Sequence, residues 1–181
     1  LHARGGHTLN HSIETAAPLR YEEKDLSLSP WMLGAWLGDG ASDCGRITIG
    51  GKDFEQTKAI IESEGHELCR TDIVGISYTV RGLTAQLRDL GVLRNKHIPE
   101  EYLRGSVEQR LALLQGLMDT DGTVNNGGAT RGRGAGAARC EFSICNEQLA
   151  RDAYDLIVGL GIKATFRQSD AKLNGKVVGV R

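Results

Sequence analysis

Leu113–Gly122 reads LLQGLMDTDG, an apolar run broken by one glycine and closed by Asp119, Asp121 and Gly122. The pattern occurs twice. A shift of 82 positions lays Met32–Gly40, MLGAWLGDG, under Leu114–Gly122, LQGLMDTDG, aligning Gly34 with Gly116, Asp39 with Asp121 and Gly40 with Gly122. A glycine inside a helix costs about 1 kcal/mol relative to alanine. A matched pair of them implies that two helix backbones approach closely. The expectation is two equivalent helices packed on a local twofold axis, with Asp39 and Asp121 side by side at their C-terminal ends.

The remaining composition bounds what such a pair can serve. With 181 residues, 40% hydrophobic and 25% charged, the chain has ordinary globular composition and enough length for a full core. No apolar run reaches the roughly 18 residues of a membrane span. The opening LHARGGHTLNHS lacks the apolar centre of a signal peptide, so a cytoplasmic protein with no membrane partner is expected. Cys44, Cys69, Cys140 and Cys145 show no CxxC spacing, which points to reduced thiols and away from zinc. The net charge of −1 argues against nucleic-acid binding through bulk positive charge, although a basic surface can be balanced by acids elsewhere. Locally the picture differs: residues 123–181 hold nine Lys and Arg against five Asp and Glu.

Residues 1–29 include His2, His7 and His11 in a polar setting without a period, and read as an extended linker. Ser29 and Pro30 then form a helix start, with the helix running to about Asp39. Arg46–Ile49 alternates as a strand with Ile47 and Ile49 inward. Asp53 is read as the cap of a helix over Phe54–Glu64, closed by Gly65. Strands are expected over His66–Arg70 and Ile76–Arg81, and a helix over Leu83–Leu90. After the connector NKHIP, residues 95–99, Ser106 and Gln109 stand in capping-box spacing before a helix from Val107 to about Asp119, whose stripe is Leu111, Leu114, Leu117 and Met118. The second half repeats the order: strand Cys140–Ile144, helix Glu147–Leu160, strands Ile162–Gln168 and Lys176–Val180. It adds NNGGATRGRGAGAA, residues 125–138, as a glycine-rich hairpin tip, and lacks the last helix.

Two carboxylates at adjacent helix C-termini repel each other and sit in the negative potential of both helix dipoles. A divalent cation resolves that conflict. Mg²⁺ prefers oxygen and keeps several waters while using one or two carboxylates, so it suits such a pair, and it can assist in-line phosphodiester displacement. An EF-hand does not fit, because Asp119-Thr120-Asp121-Gly122 is followed by Asn-Asn-Gly-Gly-Ala without the required spaced oxygens.

LLQGLMDTDG closely resembles the signature of LAGLIDADG homing endonucleases, and LGAWLGDG resembles its usual first copy in inteins. The resemblance covers Asp25–Arg181, and NHSIETAAPL ahead of DLSLSPWMLGAWLGDG looks like the junction between an intein's splicing domain and its endonuclease. It implies an α+β, duplicated helix-strand-strand-helix-strand-strand-helix fold with pseudo-twofold symmetry and saddle-shaped antiparallel DNA-binding sheets. Residues 1–29 would be the linker from the splicing domain, 30–105 the first half and 106–181 the second. By the same resemblance Asp39 and Asp121 would hold catalytic Mg²⁺ or Mn²⁺, with main-chain oxygens at Gly38 and Thr120 nearby. Lys96 would be the active-site lysine that assists the hydrolytic water or the transition-state charge. Asp119, which aligns with Leu37, falls outside the symmetric chemistry. The second active-site lysine would follow Arg181, and the splicing residues would flank the segment.

The resemblance further implies a monomer whose strands lie along the major groove of double-stranded DNA, with an intein splicing domain as partner in cis. Outward positions are then the candidate contacts: Arg46, Thr48, Arg70, Tyr78 and Arg81 in the first half, and Arg139, Glu141, Ser143 and Arg167 in the second. Arg131 and Arg133 lie in the glycine-rich tip, and Lys172 and Lys176 in the last hairpin. The competing reading is a DNA- or RNA-binding module of the same fold that has lost cleavage; retention of both Asp39 and Asp121 speaks against it.

Overall fold

Ser29 and Pro30 start the first helix as expected: the Ser29 hydroxyl accepts from Met32 N at 3.2 Å, and α1 runs Pro30–Asp39 in this computed structural model. The described residues are 13–70, 75–126, 138–173 and 176–180, with side chains described in 13–69, 75–126 and 138–170. Trp31 through Leu37 are all buried, so α1 is covered on every side and needs no polar face.

Its principal neighbour is α5 (Val107–Asp121). The Ser106 capping box forms in full, with Gln109 N donating to Ser106 Oγ at 3.2 Å and Ser106 N donating to Gln109 Oε1 at 3.0 Å. A Cβ on Gly34 would overlap Leu113 O and lie 3.0 Å from Leu117 N; one on Gly116 would overlap Trp31 O and lie 2.7 Å from Ala35 N. Trp31 and Leu113, and Ala35 and Leu117, are again 82 positions apart, so each glycine meets the counterpart of what the other meets. The close approach inferred from the paired glycines is therefore present. It also corrects the expected stripe of α5: the buried positions are Arg110, Leu113, Gly116 and Leu117, while Leu111 is 43% exposed and Leu114 and Met118 are half-buried. The face is chosen by the glycine that admits α1, not by the largest apolar side chains.

Around this pair, β1 (Arg46–Thr48), α2 (Phe54–Ser63), β2 (Leu68–Arg70), β3 (Ser77–Val80) and α3 (Leu83–Asp89) follow α1. The strands form one antiparallel sheet in the order β1-β3-β2, whose inner positions Ile47 and Val80 are buried. Ile49 is buried just beyond β1. Asp53 makes no side-chain cap to α2; its N–H instead closes a turn onto Gly50 O. The short α4 (Glu100–Leu103) precedes α5, after which β4 (Gly122–Asn125) and β5 (Arg139–Phe142) pair as an antiparallel hairpin. α6 (Glu147–Gly159) and the antiparallel hairpin of β6 (Asp170–Leu173) and β7 (Lys176–Val180) complete the described elements. The expected strand Ile162–Gln168 is not one. That stretch runs without ladder pairing, Phe166 stacking edge-on against Tyr154 of α6 at 5.7 Å, and the strand forms at 170–173 instead.

Residues 13–29 have no helix or strand, as expected, but from Ala16 onward they are pinned along the body. Leu19 N donates to Gly159 O at 2.9 Å, and Lys24 exchanges backbone bonds with the Gln109 amide at 3.0 and 2.7 Å. The Tyr102 hydroxyl donates to Leu28 O at 2.8 Å. Buried Arg110 joins three segments by donating to Gly105 O, Gly159 O and Leu19 O, with the Tyr21 ring 5.1 Å from its guanidinium. Gly161, at φ 75°, has no room for a side chain because Ala16 O abuts it.

Candidate active site

The two helices finish alike. Gly40 (φ −80, ψ 150) returns its N–H to Trp36 O, and Gly122 (φ −82, ψ 150) returns its own to Met118 O. These glycines are in extended conformation, so they are needed for space: a Cβ would overlap Trp36 in one copy and Met118 in the other. Gly38 in turn faces Thr120, where an added Cβ would overlap the hydroxyl. That hydroxyl donates back to Gly116 O at 3.0 Å and Leu117 O at 3.2 Å.

At these ends Asp39 feels the charge of Asp121. The Asp39 carboxyl is held above its ordinary 3.8 by partial burial first and by the Asp121 charge second, with the Lys96 ammonium opposing both. Lys96 is the third member. Burial pushes its ammonium down from 10.5 to about 8, against the attraction of Asp121 and then Asp39. Its Nζ donates to Trp36 O and Leu37 O at 2.9 Å and to Gly40 O at 2.8 Å, with Gly38 O at 3.4 Å, and lies 4.8 Å from the Trp36 ring centroid. A cation here meets the carbonyls that end α1 and faces the negative end of its dipole. The structure thus brings together the three residues expected to carry the chemistry, two acids and a lysine, although Gly38 O, expected to serve a metal, is within reach of Lys96.

The connector that carries Lys96 is gripped by α6. Asn146 donates from Nδ2 to Lys96 O at 2.8 Å, and Asp152 accepts from Ile98 N at 2.9 Å. Neither residue's reach to the connector is readable in sequence, where Asn146 only precedes an ordinary amphipathic helix and Asp152 lies within it. Asp119 lies outside this group: its carboxylate accepts from Trp31 Nε1 at 3.0 Å and ties α5 to α1.

The residues expected to face DNA divide into several sets. Thr48 is exposed and Arg46 half-buried on the outer face of β1, where Arg46 opposes Thr79 and Thr48 opposes Ser77. Arg81 is exposed on the same parity as Thr79 and ion-paired to Glu67 at 2.8 Å. Tyr78 is a correction. It opposes Ile47, shares the inner parity of Val80 and stacks on Phe54 with centroids 4.9 Å apart, so it belongs to the core side. A one-residue change of parity moves a side chain to the other face, and Ser77 and Thr79 are the outer residues in its place. Arg70 opposes Tyr78 in the ladder, and its side chain is outside the described set.

In the second half Arg139, Glu141 and Ser143 are exposed and alternate with half-buried Phe142 and Ile144, as expected. Arg139 pairs with Glu141 at 2.6 Å, and Thr123 and Asn125 share their face by register. Arg167 is exposed, but in the stretch that forms no strand. Lys172 and Lys176 take ladder positions opposite Val177 and Leu173, their side chains undescribed, and Arg131 and Arg133 lie outside the described residues.

Among the described residues no three or more His, Cys, Asp or Glu side chains form a metal cluster. Two repelling carboxylates are nonetheless a fitting donor set for Mg²⁺, which binds through one or two carboxylates and otherwise keeps water.

Comparison with known proteins adds to this geometry. Residues 108–180 match the family model described as a LAGLIDADG-like domain, a match that takes in α5 and its terminal acids. The chain is 44% identical over 155 residues to the replicative DNA helicase DnaB of Mycobacterium intracellulare, covering 86% of this chain and 23% of that protein. The chain therefore spans about a quarter of the length of the relative it matches. The match over residues 108–180 supports a LAGLIDADG fold, and the α+β architecture with small antiparallel sheets is compatible with one.

Proposed function

We propose that this chain is the homing endonuclease domain of an intein, built of two pseudo-symmetric halves that act as a monomer on long double-stranded DNA sites. The observation that carries the reading is the pair of identically formed helix ends that couples Asp39, Asp121 and Lys96. The family match over residues 108–180 supports the nuclease class. The helicase relative, of which this chain covers only 23%, supports an inserted segment in a protein of that kind.

In this reading Asp39 and Asp121 hold Mg²⁺ or Mn²⁺, which supplies positive charge to the scissile phosphodiester and lowers the barrier to attack by water. The chain's own part is electrostatic and positional. The two acids concentrate negative charge where a cation is wanted. Lys96 keeps an ammonium beside them on the α1 carbonyls, where it can meet charge developing on the phosphate. The outer strand positions Arg46, Thr48, Ser77, Thr79 and Arg81, with Thr123, Asn125, Arg139 and Ser143, suit a two-stranded ribbon in the major groove.

The test is incubation of the domain with DNA encoding the helicase without the insert, in Mg²⁺ and separately in Ca²⁺. Double-strand cleavage in Mg²⁺ with binding only in Ca²⁺ is expected. Binding without cleavage in Mg²⁺ would point to the module that has lost catalysis, and absence of binding at low salt would overturn both.

A further inference from the structure

The connector Asn95–Pro99 belongs to neither helix of the central pair, yet Asn146, the N-cap of α6, and Asp152 within α6 hold its backbone on either side of His97. Asn146 uses both ends of its amide: Oδ1 accepts from Leu149 N at 3.1 Å and caps α6, while Nδ2 donates to Lys96 O at 2.8 Å. Asp152 is 7% exposed, and its two oxygens accept from Ile98 N at 2.9 Å and from Gln148 Nε2 at 2.8 Å. Its two oxygens thus tie the connector to a neighbour within α6 through one side chain. Beyond the grip Pro99 stiffens the chain by restricting Ile98. Lys96 is thereby fixed at both ends, its backbone by α6 and its ammonium by the last carbonyls of α1.

We infer that Asn146 and Asp152 are positioning residues for Lys96, through which the second half sets the place of the cation that serves the first half's helix end. A lysine has four flexible carbons, so the site its ammonium occupies depends on where its backbone is anchored. The inference rests on the reading of Lys96 as the active-site cation.

The experiment uses Asn146→Asp, which keeps the oxygen that caps α6 and loses the N–H that meets Lys96 O; aspartate caps helices as well as asparagine does. Two readouts are taken, modification of Lys96 by acetic anhydride followed by mass spectrometry, and cleavage kinetics on the helicase-gene DNA. Asn146→Asp is expected to melt near the parent, to acylate Lys96 about fivefold faster as the anchor opens, and to lose about tenfold in kcat with KM unchanged. Asp152→Ala should show the same faster labelling and lower kcat, with a lower melting temperature because two donors lose their acceptor. Asp152→Asn should recover most of the parent values, because its amide still meets both neighbours once Gln148 turns its own. Parental labelling in a folded Asn146→Asp would overturn the inference, as would parental kcat. Should the parent cut no DNA, the nuclease reading fails, and the labelling of Lys96 alone decides the positioning role.

Discussion

At the end of α1 the carbonyls of Trp36, Leu37 and Gly40 converge on the Lys96 ammonium; at the end of α5 the neighbouring group is the Thr120 hydroxyl, bonded back into its own helix. The backbones agree to within a few degrees at Gly40 and Gly122, and the glycine contacts of the two helices map onto each other through one shift of 82. Backbone geometry here follows from where side chains are missing. Charge follows from what the connectors bring, and the described connector brings a cation to one end. The two starts differ further: α1 is 10 residues long and opens on Ser29, whereas α5 is 15 and opens on a full capping box.

The equivalence is broken most severely at the crossing point. Gly34→Ala and Gly116→Ala each push a methyl into partner backbone that cannot move aside, and each should cost about 3 kcal/mol or more in denaturant unfolding. Gly51→Ala, which meets nothing within 4 Å, should stay within about 0.5 kcal/mol. A mild effect at one of the two helix glycines would show that the halves are not packed as equals.

Next comes a difference the repeat conceals. The shift of 82 lays buried Arg110 on buried Leu28. Arg110→Met would strip donors from carbonyls of three segments and should cost about 2–3 kcal/mol by thermal unfolding. The helix starts should separate less. Ser106→Ala and Ser29→Ala each lose one side-chain cap, the Ser106 N–H keeping its bond to Gln109 Oε1, so both should cost about 1 kcal/mol.

The smallest effect is a titration. Asp39 binds its proton more tightly folded than unfolded, so its contribution favours the fold below 3.8 and is lost as pH rises through the folded value. Asp121→Asn removes a repelling charge and should lower the Asp39 pKa toward its ordinary value. Lys96→Met removes an attracting one and should raise it. Carboxyl NMR of Asp39 reads both directions.

Much of this was legible in sequence because it rests on local rules. Ser29-Pro30 and Ser106-x-x-Gln109 specify helix starts, Ile47 and Ile49 specify a half-buried strand, and Gly34 and Gly116 in matched register specify a close crossing. The site's acids came from the same register. What escaped depends on contacts distant in sequence. Arg110 looks like any helix-surface arginine until three carbonyls from residues 19, 105 and 159 surround it. Asp152 and Asn146 reach a connector about 50 residues away. Tyr78 shares the parity of Val80, yet a tyrosine suits either a core or a groove, so its residue type does not assign its face. The 162–168 stretch has strand composition but pairs with no strand among the described residues.

The central claim is that the two helix ends act as one cation-dependent site. Asp39→Asn and Asp121→Asn should be compared side by side for cleavage of the helicase-gene DNA in Mg²⁺ and for binding in Ca²⁺. Both should bind like the parent and each should lose at least about 100-fold in cleavage rate. Parental cleavage by either variant, with folding and binding intact, would contradict the account.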